Sequence, residues 1–407
     1  MSRTRYGIGP WAHLTPPATK PFPTRPDVDT ADVVVVGAGL TGILTATALK
    51  AAGHSVVLLE AGRVGAGHSR AASGLSGMLV AADYRALEAA HGRRVARTMM
   101  AAVSGAGATL ATALKQTKIA GAADTRPLLA LAEPGKGWDK DAVARTTAGL
   151  DATTVTGTAL AKATTAEAAA AIKLTGVGLC QPSRIVTGAI TRLAAARVKA
   201  FEKSCVTKIT FTRVDATVHV GAHAIVTPRV VICTDAPGAL APTLDRHVRG
   251  FERYHVLTAP MPAAMKKAVG LTAAVLYDAA AAVAITATPD GRLLLSGGDG
   301  PLLNDKQRAA AHVQRTGQLM YECLKRFPDM VGLAPEFGWS TPVVAGPDRF
   351  PLIGPHRQYP HQLFSFGTDR DPALAWLASR MLVRAVAHEE TKDDDAFGFS
   401  RVQEDRS

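Results

Sequence analysis

A chain of 407 residues has room for two domains or one large α/β body, and 47% apolar residues exclude a disordered polymer. Lys and Arg outnumber Asp and Glu by 46 to 34, a net charge of +12. The basic residues are scattered, with no Lys/Arg block interleaved with aromatics, so the charge points to an anionic cofactor or substrate and away from nucleic acid.

In chain order, the first 30 residues carry six prolines and predict an extended arm with Trp11 and Phe22 as anchors. The apolar run Val33–Val36 predicts a parallel strand buried on both faces. It breaks into Gly37-Ala38-Gly39-Leu40-Thr41-Gly42, a GxGxxG. A helical segment (Ile43–Ala52) follows, and a second strand, Ser55–Leu59, ends in Glu60. Gly37 allows the tight turn, Gly39 the approach of a pyrophosphate, and Gly42 close packing of helix on strand. The helix start, with Leu40 and Thr41, aims N–H groups and positive partial charge at phosphates. Glu60 lies where a carboxylate accepts both ribose hydroxyls, and its charge disfavours NADP.

Downstream, helices are predicted over Asp83–Ala113, Asp139–Leu150, Thr164–Ile172, Ser183–Phe201, Lys306–Phe327 and Ala373–His388. Short strands are predicted at Leu128–Leu131, Cys205–Phe211, Ala216–Val220, Ala224–Val226, Arg229–Cys233 and Leu363–Gly367. Residues 251–300 alternate in strand fashion around an Asp290-Gly291 hairpin turn. The acidic end, residues 389–407, is expected to fray. Cys180, Cys205, Cys233 and Cys323 lack CxxC or metal spacing and read as free thiols, with no metal site. No signal core or long apolar run occurs, so a soluble, cytoplasmic chain without membrane contact is expected.

Several of these segments together resemble the FAD-dependent amine and amino-acid oxidoreductases of the D-amino-acid oxidase superfamily, notably its glycine/sarcosine oxidase and gamma-glutamylputrescine oxidoreductase-like members. The Pro-rich lead into ADVVVVGAGLTG resembles that subgroup's N-terminus. Gly62–Gly74, a small Gly/Ser-rich loop after the ribose acid, is similar to the family's second flavin loop. Gln181-Pro182-Ser183-Arg184 with Phe201-Glu202…Val206 is similar to the segment whose valine backbone meets the adenine. Val231-Ile232-Cys233-Thr234, Asp290-Gly291-Arg292 with Gly297-Gly298-Asp299, and Pro347–Gly354 resemble three further family segments, in order.

The resemblance implies an α/β fold with a Rossmann-like FAD-binding domain (residues 1–85, 178–247 and 335–407). It also implies an α+β substrate domain (86–177 and 248–334) with a mainly antiparallel sheet. It implies FAD contacts from Gly37, Gly39, Leu40, Thr41, Gly42, Glu60, Ala61, Gly62, Arg63, Gly67, His68, Ser69, Ala72, Ser73 and Gly74. Val206, Thr234, Gly354, Gly367, Thr368 and Asp369 complete the implied set.

Three departures from the family pattern stand out. The last flavin loop reads Gly367-Thr368-Asp369-Arg370-Asp371-Pro372-Ala373, with two carboxylates and a proline where the family places glycines. Arg370 falls where some members clamp a substrate carboxylate, although an ion pair with Asp369 or Asp371 is an equal expectation. The arginine expected four residues after Trp339 is replaced by Val343, which weakens the case for an α-carboxylate substrate. The segment Asp278–Ile285 lacks aromatics, so the pocket is expected to have lost its rings, leaving Tyr254 and His255 as polar candidates.

The expected chemistry is oxidation of a C–N bond in a small amine or amino-acid-like substrate, by hydride transfer to flavin N5, with oxygen or another acceptor taking the electrons. An oligomer is compatible with this. The alternatives are a divergent FAD-binding protein without oxidase activity and a nicotinamide-dependent dehydrogenase.

Overall fold

Val33–Val36 is buried along its whole length and lies near the middle of a six-stranded sheet. The computed structural model describes residues 4–14, 20–117, 119, 124–132, 137–271 and 274–402. The sheet runs Leu352–His356, Tyr359–Phe366, Arg229–Asp235, Val33–Val36, Val56–Leu59, Lys199–Phe201. All neighbours are parallel except the first pair, which is antiparallel. The helices Leu40–Ala51 and Pro372–Ala387 pack together beside it, the nearly unbroken burial of its strands being what a sheet covered on both faces requires. A three-stranded meander (Val206–Phe211, Ala216–Val220, His223–Thr227) leans on the parallel sheet.

The second sheet is mainly antiparallel. Its order among the described residues is Arg5–Tyr6, Pro335–Ala345, Arg249–Thr258, Leu293–Gly300, Val283–Ala287, Val275–Asp278, Asp124–Leu131, Ala170–Leu179, Leu75–Ser76, with Ala152–Thr156 also on Ala170–Leu179. Two pairs in it are parallel, the Arg5–Tyr6 edge and the pairing of Val275–Asp278 with Asp124–Leu131. The helix Asp305–Arg326 covers one face, started by an Asn304/Gln307 capping box. The helix Tyr84–Gln116, capped by Asp83 and broken at Gly92, packs on Ala170–Leu179 and on Pro372–Ala387, joining the two halves in one core.

Several expectations need correction. The alanine-rich segment Thr164–Ile172 is not a helix. A short helix precedes it (Gly157–Ala163), and Ala170–Leu179 is a strand held between two partners. Neighbours on both sides supply the ladder bonds, and this overrides alanine's local helix preference. The helix predicted over Ser183–Phe201 ends at Ala195, and Lys199–Phe201 joins the parallel sheet edge. The N-terminal arm contains a helical turn, Pro10–Leu14, and residues 15–19 of that arm lie outside the described residues. The acidic end does not fray through 402. Two short turns, Asp394–Phe397 and Phe399–Val402, bury Phe397 and Phe399 and pair Asp394 with Arg384, while 403–407 lie outside the described residues. Asp278–Ile285 is not one strand, because residues 279–282 turn between Val275–Asp278 and Val283–Ala287.

Candidate functional site

The glycines of the first turn are fixed by backbone proximity. Gly37 has φ 96°, and a Cβ there would sit 2.5 Å from the Cys233 carbonyl oxygen. A Cβ on Gly42 would strike the Gly37 carbonyl, so helix Leu40–Ala51 rests directly on the turn. Glu60, partly exposed at the end of Val56–Leu59, accepts from the amides of Ala38 (2.8 Å) and Gly62 (2.7 Å). This holds the carboxylate rigid while leaving lone pairs for donor hydroxyls. Beside it Ser204 donates its amide to the Glu60 carbonyl, which brings Val206 to the same end. Ala61, Gly62, Arg63, Gly67 and His68 are exposed along the loop that follows, whereas Ser69 is buried and accepts from the Leu40 amide (3.0 Å).

The rest of that loop is clipped by two indoles. Trp11 Nε1 donates to the Ala72 carbonyl (2.8 Å) and Trp339 Nε1 to the Ala71 carbonyl (2.8 Å). Gly74, φ 94°, leaves no room for a side chain between the Cys180 carbonyl and Trp11. Ser73 opens onto a cavity of about 280 Å³ against the second, mainly antiparallel sheet. Leu75, Met78, Leu79, Ala284, Ser296 and Thr341 line it. The charged groups lining it are Arg253, Asp299, Arg349, Arg370 and Asp371.

Strand alternation sorts the polar candidates. On Arg249–Thr258, Arg253 and His255 face the cavity. Tyr254 points to the opposite face, buried against His312 and under the Arg315 guanidinium, so it is not part of this site. Tyr277, which sequence reasoning passed over, does line the cavity and supplies the ring thought lost. His255 is buried, its Nδ1 bonded with Ser296 Oγ (3.0 Å) and Nε2 with Thr341 Oγ1 (2.9 Å). Burial, helped by the Arg253 charge, pushes its pKa down to about 3, so the ring is neutral.

Three arginines converge although the position after Trp339 lacks one. Arg253 makes a bidentate pair with Asp299 (2.7 and 2.8 Å), and Arg349 reaches the same carboxylate at 3.0 Å. Arg349 also stacks on Phe251 at 4.3 Å. Arg370 donates to the Arg349 carbonyl (2.7 Å) and forms no ion pair with flanking Asp369 or Asp371 among the described residues. Burial, then the nearby Arg253 charge, lowers its pKa to about 10, which leaves it cationic. Asp371 instead caps helix Pro372–Ala387 through the Ala373 amide (2.9 Å) and accepts from Gly77 N (2.8 Å). Pro372 therefore stands at the first helical position, where its missing N–H costs nothing.

The remaining members of the expected set gather around Asp235. Its Oδ1 accepts from the amides of Gly367 (3.0 Å), Thr368 (3.0 Å) and Asp369 (3.2 Å). Thr368 Oγ1 lies 2.9 Å from Thr41 Oγ1, and Thr41 Oγ1 donates to Asp369 Oδ1 at 3.1 Å. Thr234 is exposed beside them and donates to the Ala236 carbonyl. Gly354 sits apart, within the edge strand opposite Phe364.

A parallel sheet with a glycine turn, a helix N-terminus and a terminal acid, facing a cavity under an antiparallel sheet, defines a dinucleotide-dependent redox protein. The family described as "DAO: FAD dependent oxidoreductase" matches residues 32–384, and the chain belongs to it; its cofactor is FAD. Glycine oxidase from Geobacillus kaustophilus is similar at 17% identity, covering 93% of this chain and 100% of that one, with a TM-score of 0.73. L-amino acid deaminase from Proteus vulgaris, with its specific insertion deleted, is similar at 16% identity over 95% and 97% of the two chains, with a TM-score of 0.75. L-proline dehydrogenase from P. horikoshii gives 16%, 92%, 98% and 0.73. Curated proteins give no match to the sequence.

The cradle fits an FAD. The turn leaves no space for side chains, Glu60 keeps lone pairs for hydroxyls, and an oxygen-rich group, the Asp369 carboxyl, already rests against Gly39 and Thr41. No described helix is long and apolar enough to cross a membrane, and no described group of His, Cys, Asp and Glu is arranged to hold a metal.

Proposed function

We propose that the chain oxidises the C–N bond of a small amine that carries a carboxylate, an amino acid or a close relative. The observation that carries this is the convergence of Arg253, Arg349 and Arg370 on one cavity, with Asp299 shared by the first two and Arg370 left to face an anion. Arg370 orients the substrate carboxylate, and Arg349 extends the positive rim. Gly37, Gly39, Leu40, Thr41 and Gly42 would hold the diphosphate, and Glu60 and Val206 the adenosine. The loop from Ala61 to Gly74, with Thr234, Gly367 and Thr368, would sheathe the remainder. Held there, FAD would supply the two-electron acceptor for a hydride from the carbon next to the amine nitrogen.

The chain's own contribution is orientation, exclusion of water and charge placement. His255 has both ring nitrogens engaged and stays neutral, so it is a positioning residue that fixes Ser296 and Thr341 and not a general base. Burial raises the Tyr277 phenol, which stays protonated and able to donate a hydrogen bond into the cavity. With no poised base among these groups, the amine is bound in its neutral form. We further propose a division of the chain into an FAD-binding domain (1–85, 178–247, 335–407) and a substrate domain (86–177, 248–334), the strands Arg5–Tyr6, Leu75–Ser76 and Pro335–Ala345 of the first joining the mainly antiparallel sheet of the second.

The test is spectroscopic. Purified protein loaded with FAD absorbs at about 450 nm, and anaerobic addition of amino acids should bleach the band while descarboxy amines should not. Bleaching by amines without a carboxylate would overturn the substrate class. A loaded protein bleached by neither would favour the second reading, a divergent FAD-binding protein, for which the acids in the last flavin loop speak.

A further inference from the structure

The C-terminal end of the parallel sheet collects more buried acid than a phosphate-binding cradle needs. Asp235 adopts φ 65°, a left-handed conformation normally left to glycine, and closes the strand Arg229–Asp235. Its carboxylate fills the nest formed by the amides of Gly367, Thr368 and Asp369. That contact draws the loop inward and lays the Asp369 side chain across Gly39, where any Cβ would collide with it. The first helical amides are thereby taken by this chain's own oxygens, Leu40 by Ser69 Oγ and Thr41 by Asp369. These are the donors and the partial positive charge that a diphosphate uses at a helix start.

We infer that Asp369 is an internal competitor of the flavin diphosphate, a carboxylate that caps the helix in its place and must be protonated when FAD enters. The inference rests on the FAD assignment of the cradle and is independent of the substrate class. Two like charges cannot share this dry corner, so FAD entry with Asp369 in place draws a proton onto it. Burial, then the neighbouring Asp235 charge, has already raised Asp369 to about 7, against hydrogen bonds from Thr41 and Ser69. Diphosphate raises it further, so FAD affinity is level below about pH 7 and falls as pH rises above it. The charged or titratable neighbours are Asp235 and Cys233 from the strand, His68 from the preceding loop, Glu60 at the next strand end, and Arg370 and Asp371 beside it. Burial and the two acids hold the Cys233 thiol protonated.

The experiment is titration of apoprotein with FAD, followed by flavin fluorescence, at about pH 6 and about pH 8.5, for the natural chain and D369N. The natural chain should bind at least tenfold more weakly at the higher pH, and D369N should recover most of that loss. Equal affinity at both pH values in both proteins would overturn the competitor role and leave the cofactor assignment standing. FAD refused by both proteins at both pH values would overturn the assignment as well. Should D369N fail to fold, calorimetric titration of the natural chain at about pH 8 in buffers of differing ionisation heat gives the answer, with proton uptake expected and zero uptake overturning it.

Discussion

At Arg370 the chain places a cation whose neighbours decide its use. The guanidinium spends one donor on the Arg349 carbonyl and keeps the rest for the cavity. Arg370→Ala should raise KM for a carboxylate substrate by about 10- to 100-fold, the loss of one charge-assisted contact, with a smaller change in kcat. Steady-state kinetics checks this, and Arg370→Lys should recover only part because it cannot fork. Glu60→Ala removes the acceptor fixed by Ala38 and Gly62, so FAD occupancy of the purified protein should drop at least tenfold. Unchanged occupancy would count against its ribose role. For His255, titration below the physiological range means it contributes no inflection between about pH 5 and 8 in kcat/KM. His255→Ala should instead cost about 1–3 kcal/mol of stability by orphaning Ser296 and Thr341, measured by denaturant unfolding.

At the scale of elements, what the sequence disclosed depended on whether the constraint was local. The turn Gly37–Gly42 was legible because backbone crowding admits only glycine there, and the strands flanking it were legible because both faces are apolar. Arg253, Tyr277, Asp299 and Arg349 were missed because three separate strands and a loop bring them together across up to 96 positions of sequence (349 − 253). A period-two reading of Arg249–Thr258 would have put Arg253 with His255 and set Tyr254 aside. The helix expected over Thr164–Ile172 failed for a related reason, since its strand partners lie elsewhere in the chain. The Asp371-Pro372 pair, which departs from the glycines of the family's last flavin loop, is a helix start. Asp371→Ala should therefore cost about 1 kcal/mol or more as a lost cap, and it also strands the Gly77 amide.

For the whole molecule, the net charge of +12 conceals an acidic interior at the sheet end, where burial raises Asp235, Asp369 and Asp371 together. The folded chain holds protons on these groups that the unfolded chain releases at about pH 4, so the stability contributed by Asp369 is full below that point and is lost as pH rises through about 7. Through Asp369 the apoprotein melting temperature should fall between about pH 5 and 8, a slope opposite in sign to that from the arginine-paired Asp299 and Asp394. D369N should flatten the slope.

The indole of Trp11, hooked to the Ala72 carbonyl and packed on Gly74, ties the amino end to a loop more than 60 positions away (72 − 11 = 61). An affinity handle or a deletion at that end is thus an intervention on the redox centre. Emission from this side chain offers a built-in optical reporter of how that loop is seated.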